Sequence, residues 1–180
     1  VRLLTVESDS QVGVLVLRWS RFSGPDFVSY QVRRRLGELI HEDVLVTLDS
    51  VGDTTFVDST ALADVDYVYT VDVYVGREIL PSNSQIRRLT LQEVMLAEPV
   101  TESKTASATL TWTPYGGPRF AAYQVWRRTE DLVPQMVFEG TELADTSFVD
   151  TGLLGNIDYF YQVTVVTERE EKIRSEEVTG

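Results

Sequence analysis

Cysteine is absent from this chain of 180 residues, and histidine occurs only once, as His41. The lack of cysteine excludes a disulfide framework, thiolate zinc sites and thiol catalysis. Lysine is scarce too: Lys104 and Lys172 are the only lysines among the 16 basic residues. This bias toward arginine favours a bacterial genome of high GC content. No apolar run approaches the ~20 residues of a membrane-spanning helix. We therefore predict no transmembrane segment.

Acidic residues dominate, and the net charge of −12 is spread over both halves of the chain. A negative surface repels a phosphate backbone, so we predict no nucleic-acid partner. The chain lacks a glycine-rich phosphate loop, a calcium-loop pattern and a nucleophile set beside a base. We predict no catalytic residues, no cofactor and no metal. His41 is interpreted as an exposed loop imidazole, and the acidic hairpin around Lys172 as a solvated segment whose charges screen one another.

The chain consists of two copies of one unit. Matching segments recur at a constant spacing, apart from one deletion, and they pair as follows: Trp19-Ser20 with Trp112-Thr113, Tyr30-Gln31-Val32 with Tyr123-Gln124-Val125, Phe56-Val57-Asp58 with Phe148-Val149-Asp150, and Asp66-Tyr67 with Asp158-Tyr159. Each copy has about 90 residues, which is a normal size for a small domain. We predict one domain at 1–90 and a second at 93–180.

Within each copy, apolar residues alternate with polar ones. Leu15, Leu17 and Trp19 share one face of a short run, as do Leu110 and Trp112 in the second copy. Alternation over short runs separated by Gly, Pro, Asn and Asp predicts antiparallel strands with one buried face. Several such strands in a unit of about 90 residues predict a β-sandwich.

The motifs resemble those of fibronectin type III domains: a lone Trp ends the second strand, Tyr-x-Val lies in the third, and Leu-x4-Tyr-x-Tyr-x-Val opens the sixth. Leu62 to Tyr67 and Leu154 to Tyr159 have the spacing of that family's tyrosine corner. The resemblance implies that the ring packs in the core while its hydroxyl bonds to upstream backbone. It covers nearly the whole chain and implies two consecutive seven-stranded immunoglobulin-like β-sandwiches, all-β, and the segment from Leu80 to Ser84 resembles the turn that launches the last strand. The second copy departs from this pattern after Ser175: either its last strand is short, or the chain continues beyond Gly180.

Pleating places certain large side chains outside the predicted cores. If Tyr123 and Val125 face inward, their neighbours on the third strand face outward, together with alternate residues of the paired sixth strand. Exposed aromatic groups mark contact surfaces. The predicted partner-binding residues on this face are Trp126, Arg128 and Phe160 in the second copy and Arg33, Arg35 and Tyr74 in the first. The alternative is ordinary cross-strand packing of arginine over these rings.

A second candidate surface lies on the other sheet of the first copy. Val14 and Val16 alternate with core residues, at positions where the second copy has threonine. We predict that these valines are exposed and that the first domain docks a neighbour through them, although exposed β-branched residues are also common in strands.

We expect a non-catalytic protein-interaction module, an accessory or spacer subunit of a larger bacterial extracytoplasmic or membrane-associated assembly. The resemblance implies this class of role. We expect the protein in the periplasm, at the cell surface or outside the cell, where it associates peripherally with a membrane complex. The alternative is a carbohydrate-binding module of a secreted hydrolase, with a glycan stacked on Trp126 and on Phe160 or Tyr74. A receptor ectodomain fits less well, because the chain lacks cysteine and Asn-x-Ser/Thr acceptor sites, and an enzyme fits least.

Overall fold

The chain divides into two compact units, Val1–Leu91 and Gln92–Gly180, which we call the first and second domains. The structure is a computed structural model that describes residues 1–130 and 132–180. The predicted domain ranges, 1–90 and 93–180, end within two residues of this division. Within the described ranges, no helix is long and apolar enough to cross a membrane.

The first domain is built from antiparallel strands in two sheets. The strands are β1 (Leu3–Asp9), β2 (Val14–Trp19), β3 (Phe27–Leu36), β4 (Glu42–Leu48), β5 (Thr55–Asp58), β6 (Asp66–Val75), β7 (Glu78–Pro81) and β8 (Gln85–Arg88). One sheet has the order β1-β2-β5 and the other β4-β3-β6-β7, with β8 also paired to β6. Because β7 and β8 are two halves of one edge strand on β6, the domain has seven strands.

The second domain repeats this arrangement. Its strands are β9 (Val100–Glu102), β10 (Ser107–Thr111), β11 (Phe120–Arg128), β12 (Gln135–Gly140), β13 (Ser147–Thr151), β14 (Phe160–Thr167), β15 (Lys172–Arg174) and β16 (Val178–Thr179). The sheet orders are β13-β10-β9 and β12-β11-β14-β15, with β16 on β14. The predicted fold class, two consecutive seven-stranded sandwiches, is confirmed.

Each domain has its own core around one tryptophan. Trp19 is 2% exposed and Trp112 is 5% exposed. The Trp19 ring meets Tyr30 edge-on with centroids 5.7 Å apart, and Trp112 meets Tyr123 at the same distance. Large buried aromatic rings contribute most of the apolar burial in such a core. The alternating pattern in the sequence therefore identified the correct inward face of β2 and of β10.

The tyrosine corner forms in both domains. The Leu62 backbone N–H donates to the hydroxyl of buried Tyr67 at 3.1 Å, and the Leu154 N–H donates to Tyr159 at 3.0 Å. Each hydroxyl thus satisfies a backbone donor in the connection before the sixth strand, as the resemblance implied.

A buried aspartate joins the two sheets in each domain. Asp58 ends β5 in one sheet, and its carboxylate accepts a hydrogen bond from Tyr69 on β6 at 2.7 Å and pairs with Arg34 on β3 at 2.8 Å. In the second domain Asp150 on β13 pairs in the same way with the Tyr161 hydroxyl and with Arg127, each at 2.9 Å.

The charge states of this cluster follow from its partners. Burial alone would raise the pKa of Asp58, but hydrogen bonds from Tyr69 and Thr60, together with the Arg34 charge, outweigh burial and lower the pKa below its ordinary value. Burial and the hydrogen bond to Asp58 raise the pKa of the Tyr69 hydroxyl. At neutral pH the cluster therefore contains a carboxylate, a neutral phenol and a guanidinium.

The last strand of each domain is interrupted by a serine turn. Between β7 and β8, Ser82 Oγ accepts the Val71 N–H at 2.9 Å, while the Asn83 amide bonds to both backbone groups of Leu3 on β1. Ser175 Oγ accepts the Val163 N–H at 3.0 Å in the second domain. The predicted turn forms at Ser82, but it lies between the two halves of the last strand rather than before that strand. In the second domain the corresponding pieces, β15 and β16, have 3 and 2 residues. At the opposite edge of the first domain's sheet, the pairing of β3 with β4 shifts register between Val32 and Arg33. In the second domain, the pairing of β11 with β12 shifts between Val125 and Trp126.

Replacing Asp58 with Asn should destabilise the first domain by about 3 kcal/mol at pH 7, because Arg34 would be left without its carboxylate. The pKa of Asp58 is lowered in the folded state, so its contribution is complete above the unfolded value of about 3.9 and is lost as the pH falls through the lower folded value. The stability gap between wild type and variant should therefore close in acid. The measurement is the free energy of unfolding of the first domain in urea at several pH values, followed by hydrogen exchange of peptides from that domain.

Asp66→Asn is the matched control for this experiment. Asp66 forms a bidentate pair with Arg88 on the surface of the same domain, with both bonds at 2.9 Å, and exposed pairs contribute little. If Asp66→Asn costs as much as Asp58→Asn, or if the Asp58 gap persists below the folded pKa, the buried carboxylate does not have the role assigned to it.

Removing the hydroxyl of Tyr67 by Tyr67→Phe should cost about 1–3 kcal/mol, since the Leu62 N–H would lose its only described acceptor in a part-buried site. Tyr74→Phe, at a half-buried hydroxyl on the outer surface, should cost less because water can replace the lost bonds. The same unfolding experiment checks both variants, and equal losses would argue against a special role for the corner.

Candidate functional site

The predicted site residues of the second domain lie on the side of the β12-β11-β14-β15 sheet that faces away from the core, here called the outer face. Trp126 is on β11, an interior strand, and is flanked in register by Met136 on β12 and Gln162 on β14. The ring is half-buried. Trp126 therefore projects from the middle of the sheet, and the outward orientation predicted for it is correct.

Trp126 forms one wall of a shallow depression on the outer face. The depression is lined by Trp126, Pro134, Gln162, Thr164, Lys172 and Arg174. Its composition is unusual for this chain, because an aromatic ring lies beside two cations and two uncharged polar groups in a protein of net charge −12.

Lys172 and Arg174 reach the depression because of the pleat of β15. Ile173 between them points into the core and is buried, so its two neighbours point outward. Both cations are exposed, and neither forms an ion pair with any residue in 1–130 or 132–180. Both side chains are exposed to solvent, as the hairpin interpretation expected, and the pleat also turns them toward Trp126.

The structure also brings Arg128 and Phe160 together, as packing partners. The Arg128 guanidinium lies 4.2 Å from the Phe160 ring centroid, and its Nε and terminal nitrogen bond Glu177 at 2.9 and 2.5 Å. This is the cross-strand packing named above as the alternative. One face of the Phe160 ring is therefore already covered.

In the first domain the equivalent face carries a network of charged and hydrogen-bonding side chains. Arg33 pairs with Asp72 at 2.9 Å and donates to the Tyr74 hydroxyl at 3.1 Å, and Tyr74 donates to Gln31 at 2.9 Å. Burial raises the pKa of Asp72, and the Arg33 charge opposes that rise. Arg33 and Tyr74 are thus joined to each other.

Arg35 lies beside this network. Its Nε is 4.0 Å from the Glu42 carboxylate, which also lies 3.8 Å from Arg33, and it donates to the backbone carbonyl of Gly37. Arg35 therefore packs over the start of the β3–β4 loop.

The exposed position predicted for Val14 is wrong. Val14 is only 8% exposed, and Val16 is half-buried. Strand β2 lies between β1 and β5, and Val14 also adjoins the turn closed by the Gly13 N–H to Asp9 carbonyl bond. Alternation identifies the side of the sheet on which a side chain lies, but the neighbouring strands determine how much of that side chain is exposed to solvent.

An exposed aliphatic pair at the same loop of both domains was missed by the sequence reasoning. Leu39-Ile40 lies between β3 and β4, and Leu132-Val133 lies at the equivalent place between β11 and β12; Ile40 is 97% exposed and Val133 78% exposed. Their recurrence at matching positions of the repeat was the available signal.

His41 lies near the first of these loop pairs, exposed and 3.3 Å from the Asp43 carboxylate. Over the described ranges, no three His, Cys, Asp or Glu side chains converge in a way that could hold a metal ion.

Comparison with known proteins gives structural likenesses alone. No protein-family model and no curated protein matches the chain. A two-domain fibronectin type III segment from chicken tenascin is 20% identical, with a TM-score of 0.46, over 99% of this chain and 97% of that one. The FN1–FN3 domains of chicken CNTN1 are 14% identical over 100% of this chain and 64% of that one, with a TM-score of 0.42.

A third likeness covers one domain. Pectate lyase PelI from Erwinia chrysanthemi, solved in complex with tetragalacturonic acid, is 21% identical over 49% of this chain and 28% of that one, with a TM-score of 0.43. The assignment of the fold rests on the strand order, the buried tryptophan and the tyrosine corner found in each domain. By these features the chain is a tandem pair of fibronectin type III-like β-sandwiches.

Proposed function

We propose that this protein is a non-catalytic protein-interaction module, an accessory or spacer subunit of a larger bacterial extracytoplasmic assembly. The observation that carries the proposal is Trp126, a large aromatic ring that projects from the middle of a complete sheet into a surface depression. Tryptophan is among the residues most enriched at the energetic centres of protein interfaces.

The roles of the buried ionisable groups support a non-catalytic reading. Asp58 and Tyr69 in the first domain, and Asp150 and Tyr161 in the second, bond each other across the two sheets. A group whose hydrogen-bonding capacity is used to join sheets is not free to act on a substrate. These buried groups are structural.

The compartment and the organism class are further parts of the proposal. Two lysines among 16 basic residues support a bacterial origin, and the type of role filled by fibronectin type III arms supports a periplasmic, cell-surface or secreted location. Fractionation of the native cells, with an antibody against the chain, tests this part separately. Recovery in the cytoplasm contradicts it.

Glycan binding is the second candidate, and it depends on a row of accessible rings. Arg128 covers one face of Phe160, and the Tyr74 hydroxyl is engaged by Arg33 and Gln31. Trp126 remains as the ring beside an open depression. A single accessible aromatic ring favours a protein partner, because an extended sugar chain would stack on several rings in a row.

Trp126→Ala should weaken capture of the native partner roughly tenfold or more, because truncating a central aromatic residue of an interface commonly costs about 2 kcal/mol. The free energy of unfolding should change by less than about 1 kcal/mol, as for other surface positions. The measurement is pull-down of the full chain from the native envelope fraction, combined with urea unfolding.

Val149→Ala is the matched control, since Val149 is exposed on the other sheet of the same domain and its truncation should leave capture unchanged. A stability loss of about 3 kcal/mol or more for Trp126→Ala would assign the ring to the core instead. Retention of the wild-type chain on polysaccharide, without any protein partner, would favour the glycan-binding module.

A further inference from the structure

We infer that the Trp126 depression binds a short acidic segment of a partner protein, with a carboxylate on Lys172 or Arg174 and an apolar side chain against the Trp126 ring. This inference rests on the proposed function and adds the chemistry of the partner. Its evidence is a comparison between the same face of the two domains.

In the first domain, a carboxylate is built into this face. Asp72 on β6 lies in register beside Gln31 on β3 and beside Pro81 on β7. Its side chain is buried and neutralises Arg33 at 2.9 Å. The outer surface of this sheet therefore holds a carboxylate against a cation and needs no partner to balance it.

In the second domain, the carboxylate is replaced and the cations lie elsewhere. Thr164 takes the register position of Asp72, because it lies between Gln124 on β11 and Arg174 on β15. Trp126 stands where the first domain has Arg33, and Lys172 stands where it has Ile79. At this position the second domain thus has no internal carboxylate, and its edge carries two cations without ion-pair partners in the described part of the chain.

Lys172 and Arg174 are exposed cations in a strongly acidic protein. The chain has a net charge of −12, and Lys172 is one of only two lysines. Other charged groups on the outer face have partners: Glu139 accepts from Gln124 at 2.8 Å, and Glu177 pairs with Arg128. A partner's carboxylates would supply for Lys172 and Arg174 the neutralisation that Asp72 supplies for Arg33.

The apolar residues that line the depression indicate that the ligand also carries an apolar side chain. Pro134 and Trp126 offer apolar surface next to the cations. Gln162, whose amide donates to the Ser175 carbonyl, and the buried Thr164 complete the lining. Charge-assisted bonds to carboxylates orient a segment, and an aromatic ring takes up an apolar side chain. The strongly acidic remainder of the protein repels long polyanions, so a short acidic segment with one apolar residue fits best.

The test uses the full chain and a fluorescently labelled short peptide of glutamates around one central phenylalanine. Anisotropy should rise on titration at low salt, and the affinity should fall as ionic strength increases. The double variant Lys172→Glu/Arg174→Glu should bind at least roughly tenfold more weakly, because it places like charges opposite the peptide. Trp126→Ala should also weaken binding.

Lys104→Glu is the matched control: it reverses the other lysine, in the loop between β9 and β10, and should leave binding unchanged. Equal affinity of wild type and the double variant would overturn the inference, as would equal affinity for a peptide with Gln in place of Glu. Binding of a galacturonate oligomer in preference to the peptide would also overturn it, in favour of an acidic polysaccharide. Dimers of the protein alone in sedimentation, with the labelled peptide released as the dimer forms, would overturn it in favour of self-association.

The two proposals fail separately. If the native partner is captured through Trp126 but its capture is indifferent to Lys172→Glu/Arg174→Glu, the acidic-segment inference falls while the interaction function stands. If capture is indifferent to Trp126→Ala, the proposed function at this site falls, whatever the peptide does.

Discussion

A buried aspartate that spans the two sheets is the constraint on which each domain depends. Asp58 and Asp150 end or lie within strands of one sheet, while the tyrosine and arginine that they bond lie on the other. A chain without cysteine has no disulfide between its sheets, and this ionic and hydrogen-bonded contact links side chains of the two sheets instead. Such a cluster is stabilising only while all its members are present, since a lone buried charge is costly.

With the interior fixed in this way, the outer faces are free to differ. The cores of the two domains repeat almost residue for residue, down to the 5.7 Å contact of Trp19 with Tyr30 and of Trp112 with Tyr123. The outer faces do not repeat, because Arg33 in one domain corresponds to Trp126 in the other. Pleating separates the two kinds of position along a single strand. A duplicated domain can therefore keep one copy internally balanced while the other acquires a surface for a partner.

The sequence predicted the fold well, because its signals are local and repeated. The two-residue period identified the inward face of the central strands, and the spacing from Leu62 to Tyr67 predicted the tyrosine corner. It predicted the surface less well. Whether Val14 is covered depends on strands distant in sequence, and whether Lys172 is paired depends on where carboxylates lie across the sheet. These are properties of three-dimensional neighbours, and a period along one strand contains no information about them.

The interrupted last strand has a consequence for how such domains behave at high concentration. The edge beside β6 is divided into β7 and β8, and the edge beside β14 into the shorter β15 and β16, each pair separated by a turn at Ser82 or Ser175. A long straight edge would offer a row of free backbone donors and acceptors to any similar edge nearby. Two short pieces with a turn between them offer no continuous row. Copies crowded side by side in one assembly would thus not pair through these last-strand edges.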